Sequence, residues 1–161
     1  MLKEETIIAD WSADMYEFDE TETYDVEFML SCLGTTPKRI LEIACGSGRI
    51  LVPLANAGHT VAGLDMDEAM LQKIPAKAEG VDYITWRTAD AIADDWGTGY
   101  DVVVIAGNFL MNIVSEEGPE RAQKVLLEKA KPALKPGGML YIDYNYTFYP
   151  EQWYVHPGER V

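Results

Sequence analysis

Cysteine, histidine and long apolar runs are scarce in this sequence of 161 residues. The two cysteines, Cys32 and Cys45, and the two histidines lack metal-ligand spacing, so we expect neither a disulfide framework nor a metal site. No apolar run approaches the ~18 residues of a membrane span, and the N-terminus is acidic, unlike a signal peptide. These absences predict a cytoplasmic protein. We expect His59 to lie in a surface turn.

Basic side chains are also few. The chain has 13 Lys and Arg against 27 Asp and Glu, which gives a net charge of −14. Such a charge repels phosphate backbones and anionic lipids, so we expect no nucleic-acid partner and no membrane partner. The hydrophobic share of 48% is ordinary for a globular protein, and the length fits one domain.

Short apolar segments alternate with helical segments from residue 37 onward. Strands are predicted at 39–43, 60–64, 82–87, 100–106 and 139–144, and helices at 48–57, 67–73 and 119–130. Asp67 is the expected N-cap of the second of these helices. This order predicts an α/β fold with a Rossmann-like, doubly wound, mostly parallel sheet of about five strands.

The first 36 residues differ from the rest of the chain. Residues 1–31 contain ten acids, one base and several aromatic side chains, a mixture unlike a disordered tail. We therefore predict an N-terminal helical cap over residues 1–36, with one helix at 25–33.

A glycine loop follows the first predicted strand. Gly46 and Gly48 would let a ligand approach backbone N–H groups at the start of a helix. The third glycine of a dinucleotide fingerprint would fall at Leu51 and is missing, as is the Gly-Lys-Ser/Thr of a phosphate loop. Asp65 and Asp90 end the next two strands, where carboxylates can bind a nucleoside. The pattern predicts a nucleoside ligand without a pyrophosphate.

Together, the segments 42–48, 63–67, 88–90, 101–108 and 134–138 resemble the class I S-adenosylmethionine-dependent methyltransferases. The family's motifs occur in this order, and the resemblance covers roughly residues 24–145. It implies that residues 37–146 form an S-adenosylmethionine-binding Rossmann-like domain. The implied cofactor is S-adenosyl-L-methionine, and no metal is implied.

The resemblance implies a role for each matched position. Those that would hold the methionine portion of the cofactor are Glu42, Ala44, Gly46 and Gly48, with Cys45 in the same segment as a packing residue rather than a nucleophile. Those that would bind the nucleoside are Asp65 at the ribose hydroxyls, Met66 against the adenine, Asp90 at the adenine amino group and Ala91 through its backbone amide. Those that would pass beneath the sulfonium are Ala106, Gly107 and Asn108. Tyr16 would reach the methionyl carboxylate from the N-terminal cap.

Two departures from the family pattern affect what we expect of the chain. The family sheet has seven strands, whereas this sequence ends about 17 residues after the fifth, so residues 147–161 would begin a truncated or shortened C-terminal segment. The fifth strand would then be an exposed edge, and we expect a homodimer. Asn112 stands where similar small-molecule enzymes often have a histidine, and an amide cannot take a proton.

The catalytic residue is therefore unassigned, and the candidates are Asn108, Asn112 and Tyr146, with Asp143 beside Tyr146 as a substrate contact. The sequence favours a methyltransferase acting on a nitrogen or oxygen nucleophile of a small molecule. The alternative is a non-catalytic S-adenosylmethionine-binding module or sensor. A nicotinamide-dependent oxidoreductase is disfavoured by the missing third glycine.

Overall fold

The computed structural model describes residues 4–19, 23–113, 115–116 and 118–143. The helices are α1 (Glu4–Asp19), α2 (Tyr24–Leu33), α3 (Leu51–Asn56), α4 (Glu68–Leu71), α5 (Ile74–Lys77), α6 (Phe109–Asn112) and α7 (Pro119–Ala133). The strands are β1 (Arg39–Ile43), β2 (Thr60–Asp65), β3 (Ile84–Thr88), β4 (Tyr100–Ile105) and β5 (Leu134–Ile142).

The five strands form one parallel sheet in the order β3-β2-β1-β4-β5. The chain moves outward from β1 to β3 and then returns across the sheet to β4, so β1 and β4 flank the point where the winding direction changes. Crevices at such a point, beyond the carboxyl ends of the strands, are where this architecture binds ligands. The predicted α/β fold with a doubly wound sheet is confirmed.

Both faces of the sheet are covered by apolar side chains. Ile40, Val102 and Val104 point into a core shared with α2 and α3, whereas Leu41 and Val103 point into a second core shared with α7. Burial on both faces explains why the central strands are continuously apolar rather than alternating.

Local signals account for most element boundaries. β1 has the predicted limits, and the side chain of Asp67 accepts hydrogen bonds from the Ala69 and Met70 N–H groups, which confirms it as the cap of α4. The helix predicted at 48–57 is shorter, because Gly48 has a positive φ of 82° and the helix begins only at Leu51.

The last described strand is longer than predicted. The Lys-Pro-Gly-Gly segment at 135–138 does stop a helix, but β5 already begins at Leu134 and includes this segment. Its pairing with β4 is irregular between Tyr100 and Val102, at the same level as the proline and glycines. The predicted C-terminal segment 147–161 and the candidate Tyr146 lie outside the described residues.

The two N-terminal helices are joined to the rest of the molecule by ion pairs. Lys77 Nζ lies 2.6 Å from a Glu17 carboxylate oxygen on α1, and Lys73 pairs with Asp14 of the same helix. A helical cap was predicted over residues 1–36, and the structure has α1 and α2 within this range. Its boundary as a separate unit remains a prediction.

The expectation that His59 lies in a surface turn is wrong. His59 is 1% exposed, and its Nδ1 accepts a hydrogen bond of 3.2 Å from the Lys38 backbone N–H. Burial lowers the pKa of His59, which favours the neutral ring that this hydrogen bond requires. Within the described part of the chain, no helix has the length and apolarity needed to cross a membrane.

Candidate functional site

The glycine loop after β1 contains three left-handed residues at alternate positions. The φ angles are 58° at Ala44, 52° at Gly46 and 82° at Gly48. The Cys45 N–H donates to the Leu64 carbonyl at 3.0 Å, which ties the loop to the end of β2. The backbone thus curls over the carboxyl end of the sheet, as the sequence predicted from the two glycines.

Asp65 connects β2 to the glycine loop. Its Oδ2 accepts a hydrogen bond of 2.7 Å from the Gly46 N–H, and its Oδ1 accepts one of 2.8 Å from the Asp67 N–H. A carboxylate has about four acceptor positions, so two N–H donors leave it able to accept from hydroxyl groups as well. Its predicted role at the ribose therefore fits its geometry, in addition to a role in holding the loop.

Asp90 follows β3 and stabilises a turn. Its Oδ1 accepts hydrogen bonds from the Ile92 N–H at 2.7 Å and the Ala93 N–H at 3.2 Å, while its own N–H donates to Asp94. This arrangement fixes the carboxylate on the same edge of the sheet as Asp65. The side chain itself is exposed and is open to a ligand.

A cavity of about 550 Å³ lies between these two aspartates and α6. Its size is within the range of small-molecule and cofactor sites. The residues that line it are Ala44, Leu64, Asp65, Met66, Ala89, Asp90, Ala91, Ile92, Phe109, Asn112, Ile113, Ser115 and Glu116. Six of the predicted site residues are thus brought together, namely Ala44, Asp65, Met66, Asp90, Ala91 and Asn112.

A second group of predicted residues lies beside this cavity, around four carboxylates. We refer to Asp25, Glu42, Asp65 and Asp143 as the acid cluster, because each of the other three raises the pKa of Glu42. Glu42 is 3% exposed, and its Oε2 has no hydrogen-bond partner among the described residues. Burial is the main cause that holds the pKa of Glu42 well above its ordinary value, and Arg49 opposes it.

Arg49 is the cation of this region, and the sequence analysis missed it. Its guanidinium donates to both carboxylate oxygens of Asp25, at 2.9 and 2.7 Å, and also hydrogen-bonds Tyr16. The bond to Asp25 is the main cause that raises the pKa of Arg49. Tyr16, predicted at the methionyl carboxylate, is therefore placed beside the guanidinium that follows the glycine loop. The available signal was an arginine directly after the second glycine.

Cys45 packs inside the loop. Burial, with Glu42 and Asp65 adding to it, raises the pKa of the Cys45 thiol, so the sulfur stays protonated and unreactive. A Cβ added at Gly63 of β2 would lie 2.6 Å from Cys45 Sγ, which explains why glycine stands there. This supports the interpretation of Cys45 as a packing residue.

The turn after β4 contains the remaining predicted residues. Ala106 is buried, while Gly107 and Asn108 both have left-handed φ angles, 64° and 61°. The Asn108 N–H donates to Asp143 Oδ1 at 3.4 Å. The turn lies at the end of the strand next to β1, so its backbone adjoins the glycine loop region at the same edge of the sheet.

Comparison with known proteins adds sequence relatives to this geometry. A family described as a methyltransferase domain matches residues 40–138. The glycine N-methyltransferase of Rattus norvegicus is 27% identical over 135 residues, a match that covers 76% of this chain and 46% of the relative. The ubiquinone biosynthesis O-methyltransferase of Chelativorans sp. (strain BNC1) is 32% identical over 108 residues, which cover 65% of this chain and 39% of the relative.

A solved structure is similar as well. The CcbJ methyltransferase from Streptomyces caelestis has a TM-score of 0.67 and 26% identity, over 81% of this chain and 54% of that one. The chain therefore spans about half the length of the relatives that it matches.

Proposed function

The chain belongs to the class I S-adenosylmethionine-dependent methyltransferase family, and from this premise we propose that it transfers a methyl group from S-adenosylmethionine to a nitrogen or oxygen atom of a small molecule. The observation that carries the proposal is the cavity at the carboxyl edge of the sheet, where Asp65 and Asp90 face one space of nucleoside size. The two relatives named above are an N-methyltransferase and an O-methyltransferase, so the acceptor atom of this chain can be nitrogen or oxygen.

The residues at the site fit this cofactor. Asp65 and Asp90 offer carboxylate oxygens to hydroxyl and amino donors, while Phe109 and Ile113 supply apolar walls for a ring. Beside them, the Oε2 of Glu42 is buried and has no partner among the residues that the structure describes, so it is an acceptor that a ligand ammonium group would satisfy. A positively charged ligand is also favoured because Asp25, Asp65 and Asp143 all act on Glu42 as negative charges, against the opposing charge of Arg49.

Bound S-adenosylmethionine would supply a methyl group already activated on a sulfonium. The work left to the chain is to align the acceptor, and positioning alone can provide about 7–11 kcal/mol of a reaction barrier. Asn108 and Asn112 offer amide groups that can orient an acceptor by hydrogen bonds, but neither can remove its proton. An amine that arrives neutral needs no such base, so these side chains suffice for a nitrogen acceptor.

Calorimetric titration tests the cofactor site. We expect the wild-type chain to bind S-adenosylmethionine and S-adenosylhomocysteine but not NAD. Asp65→Ala should weaken both by about 100-fold, because two charge-assisted hydrogen bonds are lost. The matched control is Asp67→Ala, which removes the cap of α4 and costs about 1 kcal/mol of stability while binding is retained.

Two results would contradict the proposal. Near-normal affinity in Asp65→Ala would mean that the cavity is not the cofactor site. Strong binding of the cofactor with no S-adenosylhomocysteine formed, across a panel of amines and hydroxyl compounds, would favour the non-catalytic binding module instead. We also propose a homodimer, which the position of β5 at the edge of the described sheet supports. A cytoplasmic location is retained as a separate proposal from the sequence.

A further inference from the structure

Asp143 is the first residue after β5 and is held next to β4. Its backbone N–H donates to the Ile105 carbonyl at 3.3 Å, which continues the pairing of the two strands by one residue. The side chain therefore starts from a fixed position beside the last residue of β4. From there it reaches forward to the turn that follows β4 rather than outward to solvent.

The turn that it reaches has a demanding backbone conformation. Gly107 and Asn108 are both left-handed, with φ angles of 64° and 61°. Two successive N–H groups in such a turn converge and form a small site for an anion. Here the anion is the chain's own carboxylate, since Asp143 Oδ1 accepts the Asn108 N–H at 3.4 Å. The neighbouring Gly107 N–H also acts to lower the pKa of Asp143.

The Gly107–Asn108 turn also sets the position of α6. The Asn108 carbonyl accepts hydrogen bonds from the Met111 N–H at 3.0 Å and the Asn112 N–H at 3.1 Å, so α6 is built directly on the left-handed residue. Phe109 and Asn112 of α6 both line the cavity. A chain of hydrogen bonds therefore leads from Asp143 through Asn108 to one wall of the cavity.

The surroundings of Asp143 fit a carboxylate kept for its hydrogen bonds. The pKa of Asp143 is raised, mainly by burial and also by Asp25, while the Asn108 and Gly107 N–H groups and Arg49 act to lower it. The Asn108 N–H thus offsets part of the cost of holding a half-buried carboxylate here. The sequence alone had predicted a substrate contact for this residue.

We propose that Asp143 is a positioning residue, which holds the Gly107–Asn108 turn in its left-handed conformation and thereby fixes the α6 wall of the cofactor cavity. The inference rests on the proposed function, because the wall matters only if the cavity takes the cofactor. It adds a residue after β5 to a site otherwise built from β1, β2, β3 and β4.

Affinity for S-adenosylhomocysteine, measured by calorimetry, tests this role. Asp143→Leu keeps the size of the side chain but accepts no hydrogen bond, and we expect it to weaken binding about tenfold. Asp143→Asn retains an acceptor oxygen and should stay within about threefold of wild type. The matched control is Asp101→Leu, because Asp101 also accepts a backbone N–H, from Arg39 at 2.8 Å, but at the opposite end of the sheet. Its affinity should equal that of wild type.

A double-mutant cycle with Asn108→Gly separates positioning from a general loss of structure. Glycine adopts a left-handed φ without strain, so the turn in Asn108→Gly should depend less on Asp143. We expect Asp143→Leu to cost less than about threefold in this background, against about tenfold in the wild-type background. Melting curves recorded for every variant show which of them fold, and Asp143→Ala replaces Asp143→Leu if the latter does not.

The outcomes distinguish this inference from the function on which it rests. If wild type does not bind S-adenosylhomocysteine, the proposed function fails and the inference falls with it. If wild type binds and Asp143→Leu binds equally well, or if its cost is the same with Asn108 and with glycine, only the inference is overturned.

Discussion

The two ends of the parallel sheet both contain aspartates, but these are paired in different ways. At the amino end, Asp101 accepts hydrogen bonds from the Arg39 N–H and from Lys135 Nζ, each 2.8 Å long. Arg39 is itself bound to the Thr98 carbonyl at 2.9 Å and lies 4.5 Å from the centre of the Tyr100 ring. At the carboxyl end, Glu42 lies near the three other carboxylates of the acid cluster and near the guanidinium of Arg49.

We propose that this difference separates charges that stabilise the fold from charges that bind a ligand. Charges at the amino end are satisfied by neighbours in the chain, so a substitution there should affect stability slightly and binding not at all. The carboxyl end retains a buried acceptor, Glu42 Oε2, without a partner among the described residues. Such a group costs stability in the free protein. His59 Nε2, just before β2 at the amino end, is also buried without a partner among the described residues, so the binding role that we propose for Glu42 depends on its place beside the cavity as well. The predictions below separate these two kinds of charge.

Glu42→Gln should give the largest effect, and the size of that effect on stability depends on pH. The pKa of Glu42 is raised in the folded chain, so the folded state binds its proton more tightly than the unfolded state does. This contribution to stability is fully present below the ordinary pKa of 4.5 and is lost as the pH rises through the raised pKa. A glutamine has no such loss. The free energy of unfolding of the variant should therefore be similar to that of wild type near pH 4 and higher than that of wild type at pH 8.

Urea denaturation at both pH values measures this difference, and titration with S-adenosylmethionine supplies the second readout. If Glu42 serves a ligand cation, the more stable variant should bind the cofactor about tenfold more weakly. A variant that is more stable at pH 8 and binds equally well would show that Glu42 carries no binding role. If the difference in stability between Glu42→Gln and wild type were the same at pH 4 and pH 8, the raised pKa expected of a buried Glu42 would be contradicted.

Asp25→Asn should have an intermediate effect, because it breaks the bidentate pair with Arg49. Burial acts to raise the pKa of Asp25, but the bonds from Arg49 outweigh it and the pKa lies below its ordinary value. The pair therefore stabilises the fold above the ordinary pKa and is lost as the pH falls through the lowered one. We expect a loss of about 1–2 kcal/mol at pH 7, since both side chains are partly screened.

The control for this prediction is on the same helix. Glu27 is exposed and is bonded only to the Thr23 hydroxyl at 3.3 Å in the contacts described, so Glu27→Gln should change stability little. Thermal melts at pH 7 and pH 4 compare the two variants. An equal loss in both would mean that the Arg49 pair adds nothing beyond the general charge of α2.

Features of the fold were predictable from the sequence when they depend on residues close together in the chain. β1 was predicted to the residue because a buried apolar run next to a glycine loop is a local signal. The start of β5 was not, because Lys-Pro-Gly-Gly marks the end of a helix without indicating that a strand begins before it. Boundaries that depend on pairing with a distant strand have no signature within their own segment.

The candidate site divides in the same way. Asp65 at the end of β2 and Asp90 after β3 were predicted from these places at the ends of strands, and both line the cavity. Arg49 was missed because its partner, Asp25, is 24 positions away and nothing in either segment indicates the pair. The interaction of Asp143 with the turn after β4 spans 35 positions and was likewise beyond sequence reasoning, although the residue itself had been noticed.

Asp101→Asn should give the smallest effect. It tests the amino end of the sheet, where we expect charges to stabilise the fold without affecting binding. The carboxylate is bonded to the Arg39 N–H and to Lys135 Nζ, and these bonds lower its pKa, the first of them most. The side chains of Asp101 and Lys135 are 36% and 47% exposed, so solvent screens the ion pair, and asparagine can still accept from the Arg39 N–H. We therefore expect a loss of about 0.5 kcal/mol in urea denaturation, reduced further in 0.5 to 1 M salt, with cofactor affinity unchanged. A change in affinity would mean that the amino end of the sheet is coupled to the site, and the separation of structural from functional charge would no longer hold.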